Sequence, residues 1–465
     1  MKKTVIATSI VVILGAGYTL ASWYTGNIIE NNIDAKIAQI TNQIDQYKGL
    51  PDVNIQYSDY HKGIFSTSFN LTVNTVNLEN HQNTLFNDKV TIYHGPFPWS
   101  EIKSGDFSPK MGAFIYQTSK ESNESLWLAA GNKPFMTINS SIDYSENIKL
   151  TANNEPINYT NEELGTNLQA TKNSLFLSID NQLNNLVIQG QIDQLTLKNQ
   201  MDYLEINHLV LTGNVVKYAD LGYQAKTEVS IENGLIGRVN SNNENLNNND
   251  SIKVNQLAIN INAARQNKRL TGDISSSVNN LFLGQQDLGK GEILANYTLP
   301  LNYDLSAETN DDKALRNWYV KLDKLLWHNQ QGNLSASFTL NVADNDNMPW
   351  DQLDEDNLIL AQAKVNLPLK PLTYLAAQIS NPQKSMPDDN DIQSVTKSVV
   401  MLFGLFLNNS PIIDFNYDPN DEIEDGVSVD LYYSKEENQA RLKGKSITTG
   451  QFWQALTRNK LPKFN

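Results

Sequence analysis

The stretch "INHLVL", Ile206 to Leu211, decides the fold class because it interrupts strand alternation in a regular way. An apolar residue is followed by Asn or Asp, then by any residue, then by two apolar residues separated by one. We call this six-residue pattern the figure. It recurs in five other places: VNTVNL (73–78), LNNLVI (183–188), IDQLTL (192–197), VNQLAI (254–259) and VNNLFL (278–283).

The figure predicts bent strands. Strict alternation would place its two halves on opposite faces of a sheet. A β-bulge at the Asn returns both halves to one face, and Asn suits such a site because it tolerates left-handed geometry and bonds its own backbone. The intervals are irregular, so a strict solenoid is not indicated. We therefore expect a long, curved, mostly antiparallel sheet with one apolar face.

The N-terminus predicts a membrane anchor. After Lys2 and Lys3, residues Thr4 to Tyr24 carry no formal charge, and a helix of this length spans roughly 30 Å, the thickness of a bilayer core. The two lysines place the N-terminus in the cytoplasm and the body in the periplasm, with the chain single-pass in the inner membrane. The alternative is a cleaved signal peptide, although the apolar run is long for one.

A connector helix is predicted next, over 27–49. Its apolar residues step by three or four and form one stripe: Ile29, Ile33, Ile37, Ile40, Ile44 and Tyr47. Two explanations stay open. The stripe packs on the chain's own body, or it pairs two copies in a homodimer through 29–47.

The whole chain is predicted to be α+β and dominated by β structure. The expected segments are a cytoplasmic stub and transmembrane anchor (1–26), the connector helix (27–49), a β-rich periplasmic domain (50–300), and an α+β part (301–465) that packs on the sheet or extends it. In this last part, helical spacing predicts a few helices, at 311–329, at 391–409 and near the C-terminus. The apolar end of the second helix is expected either to be fully buried or to meet an apolar partner.

Composition excludes several function classes. The formal net charge is −15, which argues against a nucleic-acid partner because phosphates must be neutralised by Lys and Arg. The chain has no cysteine, which excludes thiolate metal sites and Cys nucleophiles. No hydrolase, zinc or dinucleotide motif occurs, so we predict no cofactor and no metal site.

Two local motifs contain the remaining candidates for chemistry. "YHKGIF" begins at Tyr60 and "YHGPFPW" at Tyr93. A histidine with a nearby carboxylate or tyrosine could act as an acid–base couple. A histidine held between strands with both ring nitrogens bonded is the commoner situation.

Four stretches resemble a known family. "WYTGNIIE" (23–30), "YSDYHKGIFSTSF" (57–69), "YHGPFPW" (93–99) and "QDLGKGEI" (286–293) are similar to the YdgA-like family of bacterial membrane-anchored envelope proteins. The resemblance implies an anchored periplasmic protein with a domain of unknown function and no established catalytic residue. The motif residues that it marks are read as structural turn and strand-end positions: Tyr60, His61, Gly63, Phe65, His94, Gly95, Pro96, Phe97 and Pro98.

Two functions of different classes follow. The first is a non-enzymatic envelope protein whose sheet serves as a scaffold for envelope proteins or handles lipid-like ligands; the bent strands resemble those of AsmA-like proteins, whose sheets form lipid-accommodating grooves. The second is an envelope hydrolase that uses His61 or His94 as acid or base.

Overall fold

The computed structural model describes residues 19–458 with gaps. The undescribed positions between these limits are 20, 32, 36, 39–40, 42–51, 77–81, 122–123, 162–164, 182–183, 219–221, 240–250, 267–268, 301–316, 344–354, 408–409 and 419–424. The chain divides into two compact units, one of residues 1–160 and 168–191 and the other of residues 161–167 and 192–465.

The first unit is an antiparallel sheet preceded by a helix. Residues 21–31 are helical (α1). The strands that lie wholly or partly in this unit are β1 (Asp52–Lys62), β2 (Ser66–Val76), β3 (Gln82–His94), β4 (Gly112–Gln117), β5 (Met136–Ile142), β6 (Ile148–Asn154), β7 (Ile157–Asn161), β8 (Thr166–Ala170), β9 (Ser174–Ile179) and β10 (Asn185–Lys198), with short helices α2 (Trp99–Ser104) and α3 (Glu124–Ala129) between them. The strands β7, β8 and β10 cross the boundary between the two units. The pairing order is β1–β2–β3–β4–β5–β6–β9–β10.

The second unit is a longer antiparallel sheet. Its elements are β11 (Asp202–Tyr218), β12 (Gly222–Arg238), β13 (Ile252–Gln266), β14 (Arg269–Leu283), β15 (Gln286–Pro300), β16 (Trp318–Asn329), β17 (Gly332–Val342), β18 (Leu358–Pro368), α4 (Leu369–Ser380), α5 (Asp389–Leu407), β19 (Ile413–Asn416), β20 (Gly426–Ser434), β21 (Gln439–Leu442), β22 (Lys445–Ile447) and α6 (Thr449–Arg458). Successive strands pair from β11 to β18; β20 follows β18, and its far edge is shared by β19 and β21.

The core of the second unit lies at its C-terminal end. The residues buried together there come from β17, β18, β20, β21 and α6: Val342, Leu358, Leu431, Tyr433, Ala440, Leu442, Phe452 and Ala455. The amphipathic helix α6 supplies the last two, so the predicted C-terminal helix closes the sheet.

The mostly antiparallel, β-dominated prediction is confirmed, and irregular pairing occurs at four of the six figures. The β2–β3 register shifts between Val73 and Asn74, and the β14–β15 register shifts after Val278. In the figures of β11 and β13 the residue after the Asn takes the left-handed conformation, with φ of 50° at His208 and 51° at Gln256. In β11 and β13 the distorted residue is therefore the one after the Asn, whereas in β2 the register shifts just before the Asn.

The helix predicted at 311–329 is wrong. Residues 301–316 lie outside the described part, and the rest is strand β16. Its register shifts between Leu322 and Leu325, so a residue is skipped and the apolar spacing across the bulge becomes three instead of two. A bulged strand thus imitates the spacing of a helix.

Two further helices differ from the sequence prediction. The helix α4 is absent from the sequence prediction; it carries Pro371 in its first turn, where proline is tolerated. The helix α5 is confirmed, but its apolar end is not buried. Met401, Leu402, Leu405 and Phe406 are all more than half exposed, at 52% to 68%.

No helix among the described residues is both long and apolar enough to cross a membrane. Residues 4–18 and 20 of the predicted anchor lie outside the described part, as do residues 42–49 of the connector helix.

Candidate functional site

The two Tyr-His motifs lie side by side because β2 pairs with the strands that carry both of them. Lys62 on β1 pairs with Thr67, and Ser66 pairs with Tyr93 on β3. The backbone N–H of His94 then donates to the carbonyl of Phe65 at 2.8 Å. Sequence positions some thirty residues apart therefore form one site in the first unit.

His94 is the centre of this site and is fully buried. Its Nδ1 lies 3.1 Å from the carbonyl oxygen of Ile64, and its Nε2 lies 2.8 Å from the hydroxyl of Thr67. A carbonyl can only accept, so Nδ1 carries the proton and Nε2 accepts from Thr67. Both nitrogens are thus engaged within the chain, and this arrangement does not support the hydrolase that would use His94.

Burial also fixes the charge of His94. It lowers the pKa of the imidazole, and the nearby Lys62 ammonium lowers the pKa further, while the bond to Ile64 opposes them. The ring is therefore neutral near pH 7, which suits a side chain that receives one hydrogen bond and donates the other.

We expect the first unit to lose stability in mild acid. A histidine with a lowered folded pKa contributes its full stability above the unfolded pKa of about 6.5 and loses it as the pH falls toward the folded value. Between about pH 7.5 and pH 5.5, thermal unfolding of His94→Gln should start lower than wild type but vary less with pH. His61→Gln, at an exposed position, is the control and should keep the wild-type pH profile. Equal slopes for wild type and His94→Gln would contradict the assignment.

The Gly-Pro turn after His94 is closely packed. The N–H of Gly95 donates to the carbonyl of Met111 at 2.7 Å, and the N–H of Lys110 donates to the carbonyl of Pro96 at 2.8 Å. The Gly95–Pro96 peptide bond is cis. Pro98 is buried and immediately precedes α2. The Gly and Pro residues of this motif therefore set backbone geometry.

The first motif contributes packing and a tight turn. Tyr60 stacks on Phe69 with ring centroids 6.0 Å apart. The N–H of Gly63 donates to the carbonyl of Ser66 at 2.8 Å. His61 lies just after a register shift in the β1–β2 pairing and is exposed. A structural role for the residues of this motif stays a prediction.

The site receives the N-terminal helix. Gly26 faces the His94 ring so closely that a Cβ on Gly26 would lie 2.5 Å from Cε1 of the imidazole. The hydroxyl of Ser22, which is buried, donates to the carbonyl of Gly95. Lys62 contacts Glu30 at 2.6 Å. The two motifs are thus the docking surface of the helix that follows the predicted anchor.

The connector helix accordingly contacts its own chain. The hydroxyl of Tyr57 donates to Asp34 at 2.7 Å, and Cδ1 of Ile29 lies 3.6 Å from where a Cβ on Gly112 would stand. The first of the two explanations for the apolar stripe is supported here. A homodimer through 29–47 stays a prediction.

A second candidate site is a groove on the second unit with a volume of about 630 Å³. It crosses β11 to β16, and its first row of side chains follows the strand register: Val210, Ser230, Ala258, Ser277, Glu292 and Leu326. The three central residues are small, so the row forms a depression between larger neighbours.

The second row of the groove is polar and coincides with the strand bends. It consists of His208, Glu232, Gln256, Asn279, Lys290 and His328. The first four are the positions that the pairing of β11 to β14 skips, one on each strand, without a change of register. The amide of Asn279 donates to Gln256 at 2.9 Å, and Nδ1 of His208 lies 4.0 Å from a carboxylate oxygen of Glu232. The groove thus has a polar row beside a row that is small or apolar except at Glu292.

Sequence reasoning found the bends but not the groove. The signal was present in part, since His208 and Gln256 occupy the same third position of the recurring figure. Strand pairing decides which of these figures become neighbours, and the pairing cannot be derived from the sequence pattern. Among the described residues, no group of three or more His, Asp or Glu side chains is placed to hold a metal ion.

Comparison with known proteins identifies relatives of unknown function. A family model described as "Bacterial protein of unknown function (DUF945)" matches residues 1–296. Protein YdgA of Escherichia coli (strain K12) is 31% identical over 173 residues, which are 35% of this chain and 34% of that protein. An uncharacterized protein of Haemophilus influenzae (strain ATCC 51907 / DSM 11121 / KW20 / Rd) is 24% identical over 241 residues, 49% of this chain and 60% of the relative.

The match to each relative is partial. Uncharacterized protein YihF of Escherichia coli (strain K12) is 25% identical over 27% of this chain and 28% of its own length. The chain therefore spans between 28% and 60% of the curated relatives it matches. No solved structure matches.

Proposed function

The chain belongs to the DUF945 family of bacterial proteins of unknown function, and from this premise we propose that this member is a lipid-handling protein of the cell envelope. It is held in the inner membrane by residues 4–24, its body lies in the periplasm, and its second unit binds an amphipathic, lipid-like molecule in the groove.

The groove carries the proposal. Its volume of about 630 Å³ falls within the range of about 300–1,000 Å³ that is typical of small-molecule sites. Ser230, Ala258 and Ser277 leave room above the sheet, and Val210 and Leu326 supply apolar walls. Each methylene that leaves water for such a surface contributes about 0.8 kcal/mol, so a hydrocarbon chain is the kind of ligand that this row favours.

The polar row suits the other end of such a molecule. Lys290 can approach an anionic headgroup oxygen, and Glu232 can approach a cationic headgroup. Glu292 is already paired with Lys324, which reduces its repulsion of an anion. A ligand with a polar head and an apolar chain therefore matches both rows of the groove better than a purely apolar or a purely ionic one.

Filling the depression tests the proposal. Native mass spectrometry of the full chain, extracted in mild detergent, should show a co-purifying lipid adduct. In Ala258→Trp the indole would occupy the central depression, and we expect the adduct to fall about tenfold, which corresponds to about 1.4 kcal/mol.

The matched control is Ala264→Trp, six residues farther along the same strand and outside the groove. This variant should retain the adduct. Absence of any lipid on the wild-type chain, or equal loss in both variants, would reject lipid handling and leave the protein-binding scaffold as the hypothesis to test by crosslinking.

A further inference from the structure

The first unit exposes a group of aromatic side chains around the docked helix. We name it the aromatic collar: Trp23, Tyr24, Phe65, Phe97, Trp99 and Phe107. These side chains are between 37% and 68% exposed. Large aromatic residues are normally buried in soluble domains, and when several are exposed together they mark an interaction surface.

Strand register places the collar at one end of the first unit's sheet. Phe65 lies in the β1–β2 turn, and the other three body residues lie in the β3–β4 connection, between His94 and Gly112, which pair with each other. The hydrogen bond from Ser22 to Gly95 brings the start of the helix to this end. Trp23 and Tyr24 follow directly, so helix and body contribute to one surface.

The uncharged run that ends in the collar residues Trp23 and Tyr24 indicates what covers the collar. Residues 4–24 are uncharged and are proposed to cross the bilayer, and they end at Ser22 to Tyr24, where the helix meets the body. Trp and Tyr favour the membrane–water interface because their rings are apolar and their polar groups can stay hydrated. The Nζ atom of Lys103 lies 5.8 Å from the ring centre of Trp99, a cation–π distance, so a lysine ammonium stands beside the collar, where it could reach lipid headgroups.

We propose that this end of the first unit rests on the membrane surface, with the collar at the level of the lipid headgroups. The two Tyr-His motifs then hold the helix and seat the body on the bilayer at the same time. The inference rests on the proposed anchor. Attraction by charge is not required, which agrees with a chain of net charge −15.

The absence of cysteine makes the collar measurable with single-cysteine probes in the full chain. Phe107→Cys and Trp99→Cys would carry an environment-sensitive fluorophore, and the protein would be placed in phosphatidylcholine nanodiscs that contain spin-labelled lipid. Leu128→Cys is the control. It replaces an apolar side chain that is 54% exposed and lies in the connection at the other end of β4, roughly 20 Å away at about 3.3 Å per residue.

We expect lipid quenching at both collar positions to exceed that at Leu128→Cys by at least about twofold, and to persist in about 1 M salt, where charge attraction is screened. Equal quenching at collar and control positions, in a chain that has entered the discs, would overturn the proposal that the collar rests on the membrane. It would leave the proposed anchor intact. A chain that stays outside the discs would overturn both. Discs that each contain a single chain exclude the alternative that a second copy of the protein covers the collar.

Discussion

Gly95→Ala is expected to open the docking surface of the N-terminal helix. A Cβ on Gly95 would lie 1.8 Å from the carbonyl oxygen of Lys110. This is a steric clash that only a shift of the backbone could remove. The Lys110 backbone cannot withdraw freely, because its N–H is bonded to Pro96 and the next carbonyl receives the N–H of Gly95. Overpacking typically costs about 1–3 kcal/mol and occasionally more, and the carbonyl that binds Ser22 would move with the turn.

Hydrogen exchange measures this effect by region. Amides of β3, β4 and α1 should exchange faster in Gly95→Ala, and the first unit should unfold at lower temperature. Gly404→Ala is the control, since a Cβ there meets nothing within 4 Å and alanine in a helix is favoured by roughly 0.5–1 kcal/mol. Unchanged exchange around His94 in Gly95→Ala would show that the turn does not support the helix.

The sequence predicted the strand content of the chain because side-chain alternation and turn chemistry are local properties. The recurring Asn figure indicated bends, and four of its six instances lie at irregular pairing. The same local reasoning failed at residues 318–329, where a bulge between Leu322 and Leu325 gives apolar residues a helical spacing. Periodicity reports a distance along the chain and does not distinguish the backbone geometry that produces it.

The features that the sequence did not predict depend on pairing between distant parts of the chain. The contact of His94 with Gly26 joins residues whose proximity no sequence pattern indicates. The groove likewise depends on the pairing of six strands, three of which align small residues in one row. The exposure of the apolar end of α5 could not be predicted for a related reason. An apolar sequence indicates that a segment avoids water, but it does not indicate which surface covers the segment.

Phe452→Ala is expected to destabilise the second unit by about 3–5 kcal/mol, the usual cost of removing a buried aromatic side chain. Phe452 is fully buried and stacks on Tyr433 at 4.8 Å between ring centroids. It also meets Trp453 edge to face at 5.7 Å. Alanine would leave a cavity beneath α6, and the helix would lose the contact that holds it against β20.

Phe452→Leu should cost less, because leucine refills part of the cavity, so the two variants give a graded series. Hydrogen exchange should rise in β20, β21 and α6 of Phe452→Ala and stay unchanged around His94, which is the converse of the Gly95→Ala pattern. This reciprocal result is expected if the two compact units unfold separately. Faster exchange throughout both units in either variant would show instead that the chain unfolds as one cooperative body.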